Sequence, residues 1–270
     1  MDTQDMFINT DQGRLFARLW QPGSPRVDKA PILLFHDSLG CVALWRTFPA
    51  ALSQATGRTV IAYDRLGFGK SAPHPGRQRQ DFIHREADKT FPMLCQQLHM
   101  DQFIAFGHSV GGGMAVHCAA RFPEACRAVI TESAQAFVEE RTLNGIRDAR
   151  AAFAQSANVA RLERYHGDKA QWVLDAWIDT WLSPEFSDWS LEEVLPHVHS
   201  PLLAIHGDQD EYGSVRNPEF ICQHAGGQST LKVLPGLRHV PHREDEGAVV
   251  ELVAGFLETA LDESERASMQ

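Results

Sequence analysis

Hydrophobic residues along the chain alternate between short apolar runs and longer amphipathic stretches. Seven short runs have the length and composition of buried strands: residues 15–20, 31–35, 59–63, 103–106, 128–131, 202–205 and 231–234. Stretches with helical spacing of apolar positions lie between or after them, at residues 45–55, 85–98, 110–122, 218–224 and 244–261. Strands that alternate with helices are typical of a mostly parallel sheet covered by helices. The sequence therefore predicts an α/β fold with helices on both faces of the central sheet.

The segment from residue 134 to residue 200 interrupts this alternation, because it contains no convincing strand and its patterns at 147–164 and 169–182 are helical. We therefore predict a core α/β domain in two parts, residues 1–133 and 201–270, separated by a helical lid insertion at 134–200. Four of the six tryptophans fall in this insertion: Trp172, Trp177, Trp181 and Trp189. Most of these rings are expected to pack against the core, with Trp177 or Trp181 as candidates to line a pocket.

Charge and cysteine usage narrow the range of partners. The 270 residues include 25 Lys and Arg against 35 Asp and Glu, a net charge of −10, and a field of this sign repels nucleic acids and anionic lipid headgroups. The sequence contains no run long enough to cross a bilayer and no signal-peptide pattern at its start, so we expect a cytoplasmic protein, monomeric or homodimeric, that acts on a small molecule. Five scattered cysteines without a CxxC pair suggest neither disulfides nor a zinc site, and no cofactor or metal is predicted.

A G-x-S-x-G motif, Gly107-His108-Ser109-Val110-Gly111, follows the predicted strand 103–106 and precedes a predicted helix. A serine on such a sharp turn needs neighbours without a Cβ, and the helix start behind it favours a developing negative charge. Phosphate-binding loops also use glycine-rich turns, but they require a Gly-Lys-Ser/Thr or a glycine spacing that is absent here. The motif therefore makes Ser109 the candidate nucleophile.

A serine nucleophile needs a base and an acid, and both occur after later strands. Asp208 and Asp210 follow the run 202–205, and His239 follows the run 231–234, so all lie where open α/β sheets place their sites. Asp208 competes with Asp210 for the acid position, although a turn aspartate more often binds loop amides. Glu132, just past the strand 128–131, is a further alternative acid. His206 and His242 are expected to support loops near the site. His108 is fixed within the serine turn, and contact with substrate is its alternative role.

Four stretches together resemble the α/β-hydrolase superfamily, and the resemblance covers nearly the whole chain. They are His36-Asp37-Ser38-Leu39-Gly40, Asp64-Arg65-Leu66-Gly67-Phe68-Gly69-Lys70-Ser71, the serine turn, and Gly207-Asp208-Gln209-Asp210 with Arg238-His239-Val240-Pro241. The resemblance implies that Ser109 is the nucleophile, His239 the general base and then acid, and Asp210 the carboxylate that orients the imidazole. It also implies an oxyanion hole formed by the backbone N–H groups of Val110 and Ser38.

One position departs from the superfamily pattern, because relatives commonly carry His-Gly where this chain has His36-Asp37. Aspartate tolerates a left-handed backbone, so the turn itself is expected to survive. A carboxylate beside an oxyanion hole would repel the charge that forms there. We therefore expect the Asp37 side chain to point away from the site or to be paired, with Arg65 as a candidate partner.

The serine at the turn argues against haloalkane dehalogenases and epoxide hydrolases of the same superfamily, which use aspartate there. The resemblance implies hydrolysis of a carboxylic ester or lactone through an acyl-enzyme, with an apolar part of a small to medium substrate facing the aromatic-rich insertion. Relatives with the same three residues cleave amides, thioesters or carbon–carbon bonds, or form peracids. A non-catalytic ligand receptor of the same fold is the alternative from a different class, although all three residues are present.

Overall fold

A computed structural model describes residues 1–23 and 29–267, without the side chains of residues 156 and 262–267. Its strands are β1 (Asp2–Thr10), β2 (Gly13–Gln21), β3 (Ile32–Phe35), β4 (Val60–Tyr63), β5 (Phe103–His108), β6 (Cys126–Glu132), β7 (Leu202–Gly207) and β8 (Ser229–Leu234). They form one eight-stranded sheet in the order β1-β2-β4-β3-β5-β6-β7-β8. The β1–β2 and β2–β4 pairs are antiparallel and all later pairs are parallel. The predicted α/β class with a mostly parallel sheet is confirmed.

The helices are α1 (Phe48–Thr56), α2 (Phe82–Arg85), α3 (Phe91–Leu98), α4 (Val110–Arg121), α5 (Glu140–Phe153), α6 (Ser156–His166), α7 (Ala170–Trp181), α8 (Arg216–His224), α9 (Pro241–Glu244) and α10 (Glu246–Ala267). A π-helical turn, Glu86–Thr90, joins α2 to α3. The seven predicted strands correspond to β2–β8, with ends that differ by one or two residues. None of the helices in the described part of the chain is both long enough and apolar enough to cross a membrane.

Strand β1 was not predicted, and the sequence explains why. Of its nine residues only Ile8 is fully buried, and the others are mostly polar and exposed. This strand lies at the edge of the sheet, where one side faces solvent and the apolar run that marks a buried strand is not needed. Its backbone pairs with β2 over the full length of both strands.

The core lies on both faces of the parallel strands. In β3, Leu33 and Phe35 pack on one face, and Ile32 and Leu34 pack on the other. Strands buried on both faces read as continuous apolar runs, which is why they were easy to locate. Helix α10 packs against α1 and against the face of the sheet that carries Ile32 and Leu34.

Helices α5, α6 and α7 occupy the chain between β6 and β7. The predicted helical pattern at 147–164 is divided between α5 and α6, and the second predicted pattern, at 169–182, corresponds to α7. Trp181 is buried here, and Trp189 stacks on Phe186 with ring centroids 5.5 Å apart. The division into a core domain and a lid at 134–200 remains a prediction. All five cysteines are free thiols.

Candidate active site

The backbone at Ser109 forms a sharp turn between the end of β5 and the start of α4. Ser109 has φ 55° and ψ −126°, a conformation that a residue with a side chain rarely adopts. A Cβ added to Gly107 would lie 2.1 Å from the carbonyl oxygen of Gly111. A Cβ added to Gly111 would lie 2.1 Å from the carbonyl oxygen of Phe35. The two glycines of the motif are therefore required because strand and helix backbones pass too close for any side chain.

The structure brings Ser109, His239 and Asp210 together across 130 positions of sequence. The Nε2 atom of His239 lies 3.0 Å from the Ser109 hydroxyl oxygen, and its Nδ1 lies 2.8 and 2.9 Å from the two Asp210 carboxylate oxygens. A carboxylate can only accept, so Nδ1 carries the proton and Nε2 is free to accept from the serine hydroxyl. All three residues are buried, with Asp210 fully inaccessible.

The two candidate acids in the loop after β7 have different partners. Asp210 is held by the backbone N–H groups of Tyr212 (2.7 Å) and Gly213 (3.1 Å), besides His239. An oxygen of Asp208 instead accepts the N–H of Gly236 at 2.7 Å, so this residue closes the loop. The structure thus places Asp210, and not Asp208, beside the histidine.

Charge coupling stabilises the ionised form of this pair. Burial alone would raise the pKa of Asp210, but the charge and hydrogen bond of His239 outweigh it and lower that pKa. Burial likewise acts to lower the pKa of His239, yet the negative charge of Asp210 and its hydrogen bond raise that pKa above its ordinary value. The pair is therefore poised to accept a proton from the serine.

His206 and Tyr212 flank the acid. The Nε2 of His206 donates to the Gly213 carbonyl at 3.0 Å, which fixes the loop that carries Asp210. The ring of Tyr212 lies with its centroid 4.8 Å from that of His239, at 63°, and covers the imidazole. Burial, the largest cause, raises the pKa of Tyr212 to about 12, so the phenol stays neutral.

Glu132, the further candidate acid, is engaged elsewhere. Its carboxylate accepts the backbone N–H of His242 at 2.8 Å and also the Nδ1–H of His242. His108 donates from Nε2 to the His239 carbonyl at 2.8 Å. Potential metal ligands of His108, Glu132 and His242 lie within 4.8 Å of one another and are buried. Since these groups already bind the loop that carries His239, we interpret the cluster as its support.

The two predicted oxyanion donors belong to segments that border the site. Val110 follows Ser109 and is the first residue of α4, so its N–H has no acceptor within the helix. Ser38 lines the same cavity as Ser109 and His239, on the loop that follows β3. An oxyanion hole formed by these two N–H groups stays a prediction.

The turn at Asp37 is present as expected, and the φ of Asp37 is not positive, so the turn needs no left-handed residue there. The candidate partner of the carboxylate was wrong, because Arg65 donates from Nη2 to the main-chain carbonyl of Asp37 (2.8 Å) and not to the carboxylate. His36 donates from Nδ1 to that same carbonyl (2.8 Å) and accepts the Arg65 N–H at Nε2 (3.1 Å). Asp37 is one of the residues around the cavity at Ser109.

A cavity of about 160 Å³ opens over the serine. Its lining residues are Asp37, Ser38, Leu39, Ser109, Gln135, Thr142, Ile146, Trp177, Trp181, Glu211, Tyr212, His239 and Val240. Both tryptophans that were singled out from the sequence contribute to it. Three further lining residues were not predicted from the sequence: Gln135, whose Oε1 lies 3.4 Å from the Ser109 hydroxyl oxygen, Glu211 and Tyr212. Their position just after β6 and β7, at the carboxyl edge of the sheet, is the signal that points to them.

Comparisons with known proteins identify the family of the fold. The sequence pattern of the alpha/beta hydrolase fold matches residues 30–177. Over 207 residues the chain is 30% identical to the serine hydrolase BPHL of Mus musculus, which covers 74% of this chain and 69% of that protein. A non-heme haloperoxidase of Rhodococcus erythropolis is 27% identical over 264 residues, 86% of this chain and 92% of that protein. The structure of an enol-lactonase from Burkholderia xenovorans LB400 shares the fold, with a TM-score of 0.72, 20% identity, and coverage of 93% and 99% of the two chains. The chain is a member of the α/β-hydrolase fold family.

Proposed function

We propose that this protein is a serine hydrolase that cleaves a carboxylic ester or lactone through an acyl-enzyme. The observation that carries the proposal is the line of contacts from the Asp210 carboxylate through His239 to the Ser109 hydroxyl, at 2.8 and 3.0 Å. Such a line activates a hydroxyl that is otherwise a poor nucleophile at neutral pH. It ends on the floor of a cavity that admits a small molecule.

In the first half-reaction the Ser109 oxygen attacks the carbonyl carbon while Nε2 of His239 takes the hydroxyl proton. The imidazolium that forms is stabilised by Asp210, which remains ionised. The carbonyl oxygen gains the negative charge, and the N–H groups of Val110 and Ser38 would bind it. One such donor is worth about 2.7–4 kcal/mol in the transition state of a well-studied serine protease. His239 then gives its proton to the leaving alcohol.

In the second half-reaction a water takes the place of the alcohol. His239 removes one of its protons as the oxygen attacks the acyl carbon, and the collapse of the second tetrahedral intermediate returns the proton to Ser109. The products are a carboxylic acid and a free enzyme. For a lactone the leaving alcohol stays attached to the acyl chain, so a single hydroxy acid is released.

The cavity supports a substrate of small to medium size with an apolar part. Its volume of about 160 Å³ is similar to that of an engineered cavity that holds benzene. Side chains from the segment between β6 and β7 form one wall: Gln135, Thr142, Ile146, Trp177 and Trp181. This wall supports the role of residues 134–200 as a lid that excludes water from the acyl-enzyme.

The named relatives are compatible with this reaction. The mouse relative is a serine hydrolase by name, and the alignment with it covers 74% of this chain. The enol-lactonase shares the fold at 20% identity and supports the architecture alone. The assignment of an ester or lactone therefore depends on the site and not on these names.

A fluorophosphonate probe tests the proposal. Attack by the Ser109 oxygen on phosphorus displaces fluoride and leaves a phosphonyl group on the protein, which intact-protein mass spectrometry detects. We expect one label per chain in the parent protein, none in Ser109→Ala, and normal labelling in Ser187→Ala, which removes an exposed hydroxyl. Turnover of p-nitrophenyl esters of increasing acyl length would outline the acyl pocket. An unlabelled parent protein without ester turnover would contradict the proposal and favour the ligand-receptor alternative.

A further inference from the structure

Two acidic residues are among those that line the cavity above Ser109. Asp37 precedes Ser38 on the loop after β3, and Glu211 follows Asp210 on the loop after β7. Among the described residues that line the cavity there is no lysine and no arginine. The lining therefore contributes negative charge in addition to the buried Asp210, and the arginines that act on it, Arg238 and Arg243, lie outside the lining.

Neither carboxylate is fully satisfied by protein donors. Among the described residues no hydrogen bond reaches the carboxylate of Asp37, and one of its oxygens lies so close to Gly40 that an added Cβ there would be 1.9 Å away. Burial acts to raise the pKa of Asp37, but the charges of neighbouring histidines and Arg243 outweigh burial and lower this pKa below its ordinary value. The carboxyl group is therefore ionised at neutral pH. Asp37 is half-buried, so its charge is partly removed from water, and a cation in the cavity would compensate it without needing a hydrogen-bond donor.

Glu211 shows the same deficit on one oxygen. Its Oε1 accepts a 3.2 Å hydrogen bond from the exposed guanidinium of Arg238. Its Oε2 is shielded from solvent and has no hydrogen-bond partner in the described part of the chain. The arginine compensates the outer oxygen and leaves the other without a donor.

Aromatic rings share the cavity with these carboxylates. Trp177 and Trp181 lie one turn apart on α7, and Tyr212 meets Trp177 with ring centroids 5.8 Å apart at 66°. The face of an aromatic ring attracts a cation, most strongly when water is excluded. Carboxylates together with tryptophan and tyrosine faces form the surroundings that a substituted ammonium group prefers.

The two carboxylates also act on the reaction itself. Besides Asp210, the charges of Asp37 and Glu211 contribute to the raised pKa of His239, so their field reaches the reacting atoms. The same field opposes the negative charge that develops on a carbonyl oxygen beside Ser38. A positive group on the substrate would cancel this repulsion in the transition state.

We propose that the cavity takes an ester or lactone that carries a substituted ammonium group, held by Asp37 and Glu211 against the aromatic wall. This inference rests on the proposed hydrolase function and names its substrate class. A volume of about 160 Å³ accommodates a quaternary ammonium with a short chain.

Pairs of substrates with the same shape and different charge test the proposal. One pair is acetylcholine and 3,3-dimethylbutyl acetate, with the cation on the alcohol. The other pair is the phenyl esters of trimethylammonioacetic acid and 3,3-dimethylbutanoic acid, with the cation on the acyl group. The ammonium group also activates the ester inductively, so each kcat/KM ratio is divided by the ratio of the two hydroxide-catalysed hydrolysis rates. In at least one pair we expect the corrected kcat/KM of the parent protein to favour the cationic ester by roughly tenfold or more. This ratio should fall by about tenfold in Asp37→Asn and in Glu211→Gln, because each removes one attraction.

Asp179→Asn is the matched control. It removes one charge from an exposed position of α7, the helix that carries both tryptophans, and should leave the ratio unchanged. Binding of choline and of 3,3-dimethylbutanol, followed by tryptophan fluorescence, gives a readout that does not depend on hydrolysis. Weaker binding of the neutral alcohol supports the proposal even if no ester is cleaved.

Two outcomes separate the proposals. One outcome is normal fluorophosphonate labelling with equal binding of the two alcohols and, in both pairs, equal corrected kcat/KM for the cationic and the neutral ester. This outcome would overturn the ammonium site and leave the hydrolase function standing. Preferential choline binding that is lost in Asp37→Asn, in a protein that the fluorophosphonate does not label, would support the cation site and contradict the hydrolase.

Discussion

The Nε2 atom of His108 donates a 2.8 Å hydrogen bond to the main-chain carbonyl of His239. The residue just before the candidate nucleophile thus holds the backbone of the candidate base. Burial is the largest cause that lowers the pKa of His108, to about 4, so the contact is made by a neutral ring. The turn at Ser109 and the loop at His239 are therefore joined by two contacts, one between the Ser109 hydroxyl and His239 Nε2 and one between His108 Nε2 and the His239 carbonyl.

Protonation of His108 should weaken the folded state. An unfolded histidine binds its proton near pH 6.5, whereas folded His108 does so only near pH 4, so the unfolded chain holds more protons between these values. The contribution to stability is complete above pH 6.5 and is lost as the pH falls towards 4, by about 3 kcal/mol. Urea unfolding of the parent and His108→Gln at pH 7, 6 and 5 measures it. We expect a shallower pH dependence in the variant, and equal slopes would contradict the assignment.

Separate substitution of Asp208 and Asp210 by asparagine shows which of them is the acid that pairs with His239. Asp210→Asn keeps the shape of the side chain but removes the charge that orients the His239 tautomer, so kcat should fall on the order of 10⁴-fold. Asp208→Asn retains an oxygen that can accept the Gly236 N–H and should change kcat by less than about threefold. Steady-state ester hydrolysis checks both variants. A larger loss in Asp208→Asn than in Asp210→Asn would reverse the assignment.

The sequence predicted those parts of the site that lie in short contiguous motifs. Ser109 and Asp210 follow strands that are buried on both faces, and His239 follows the short apolar run at the end of edge strand β8. Their places at one edge of the sheet could therefore be inferred without coordinates. The choice between Asp208 and Asp210 needed the structure, because both lie in one loop and only backbone geometry decides which of them faces the histidine.

Other features depend on packing that a single sequence does not reveal. Strand β1 has no apolar run because it lies at the sheet edge. The partner of Arg65 was wrongly predicted because pairing by charge ignores main-chain acceptors, and the Asp37 carbonyl is the acceptor used. The cavity wall from Gln135 to Trp181 depends on how three helices meet the sheet, and helical periodicity gives only the face that is buried.

The pH dependence of hydrolysis should report the raised pKa of His239. Burial lowers this pKa, but the charge and hydrogen bond of Asp210 outweigh burial and raise it. Only the neutral imidazole can accept the serine proton, so kcat/KM rises with pH and its acidic limb should have a midpoint above about 6.5. Glu211→Gln removes one contributing charge and should move the midpoint down, whereas Asp179→Asn should not. A midpoint below 6.5 in the parent would contradict the coupling.

The glycine of the serine turn should tolerate no side chain. In Gly111→Ala the new Cβ would meet the carbonyl oxygen of Phe35 at 2.1 Å, and a strand backbone cannot move aside as a flexible side chain can. The free energy of unfolding should drop by about 1–3 kcal/mol, and fluorophosphonate labelling of Ser109 should slow because the turn is displaced. Gly255→Ala is the matched control, because Gly255 lies at an exposed position of α10 and nothing lies within 4 Å of its added Cβ. Alanine there should raise stability by about 0.5–1 kcal/mol, because glycine weakens a helix interior. Urea unfolding of both variants measures the difference, and equal stability would show that the close approach of β3 and α4 is not what fixes the turn.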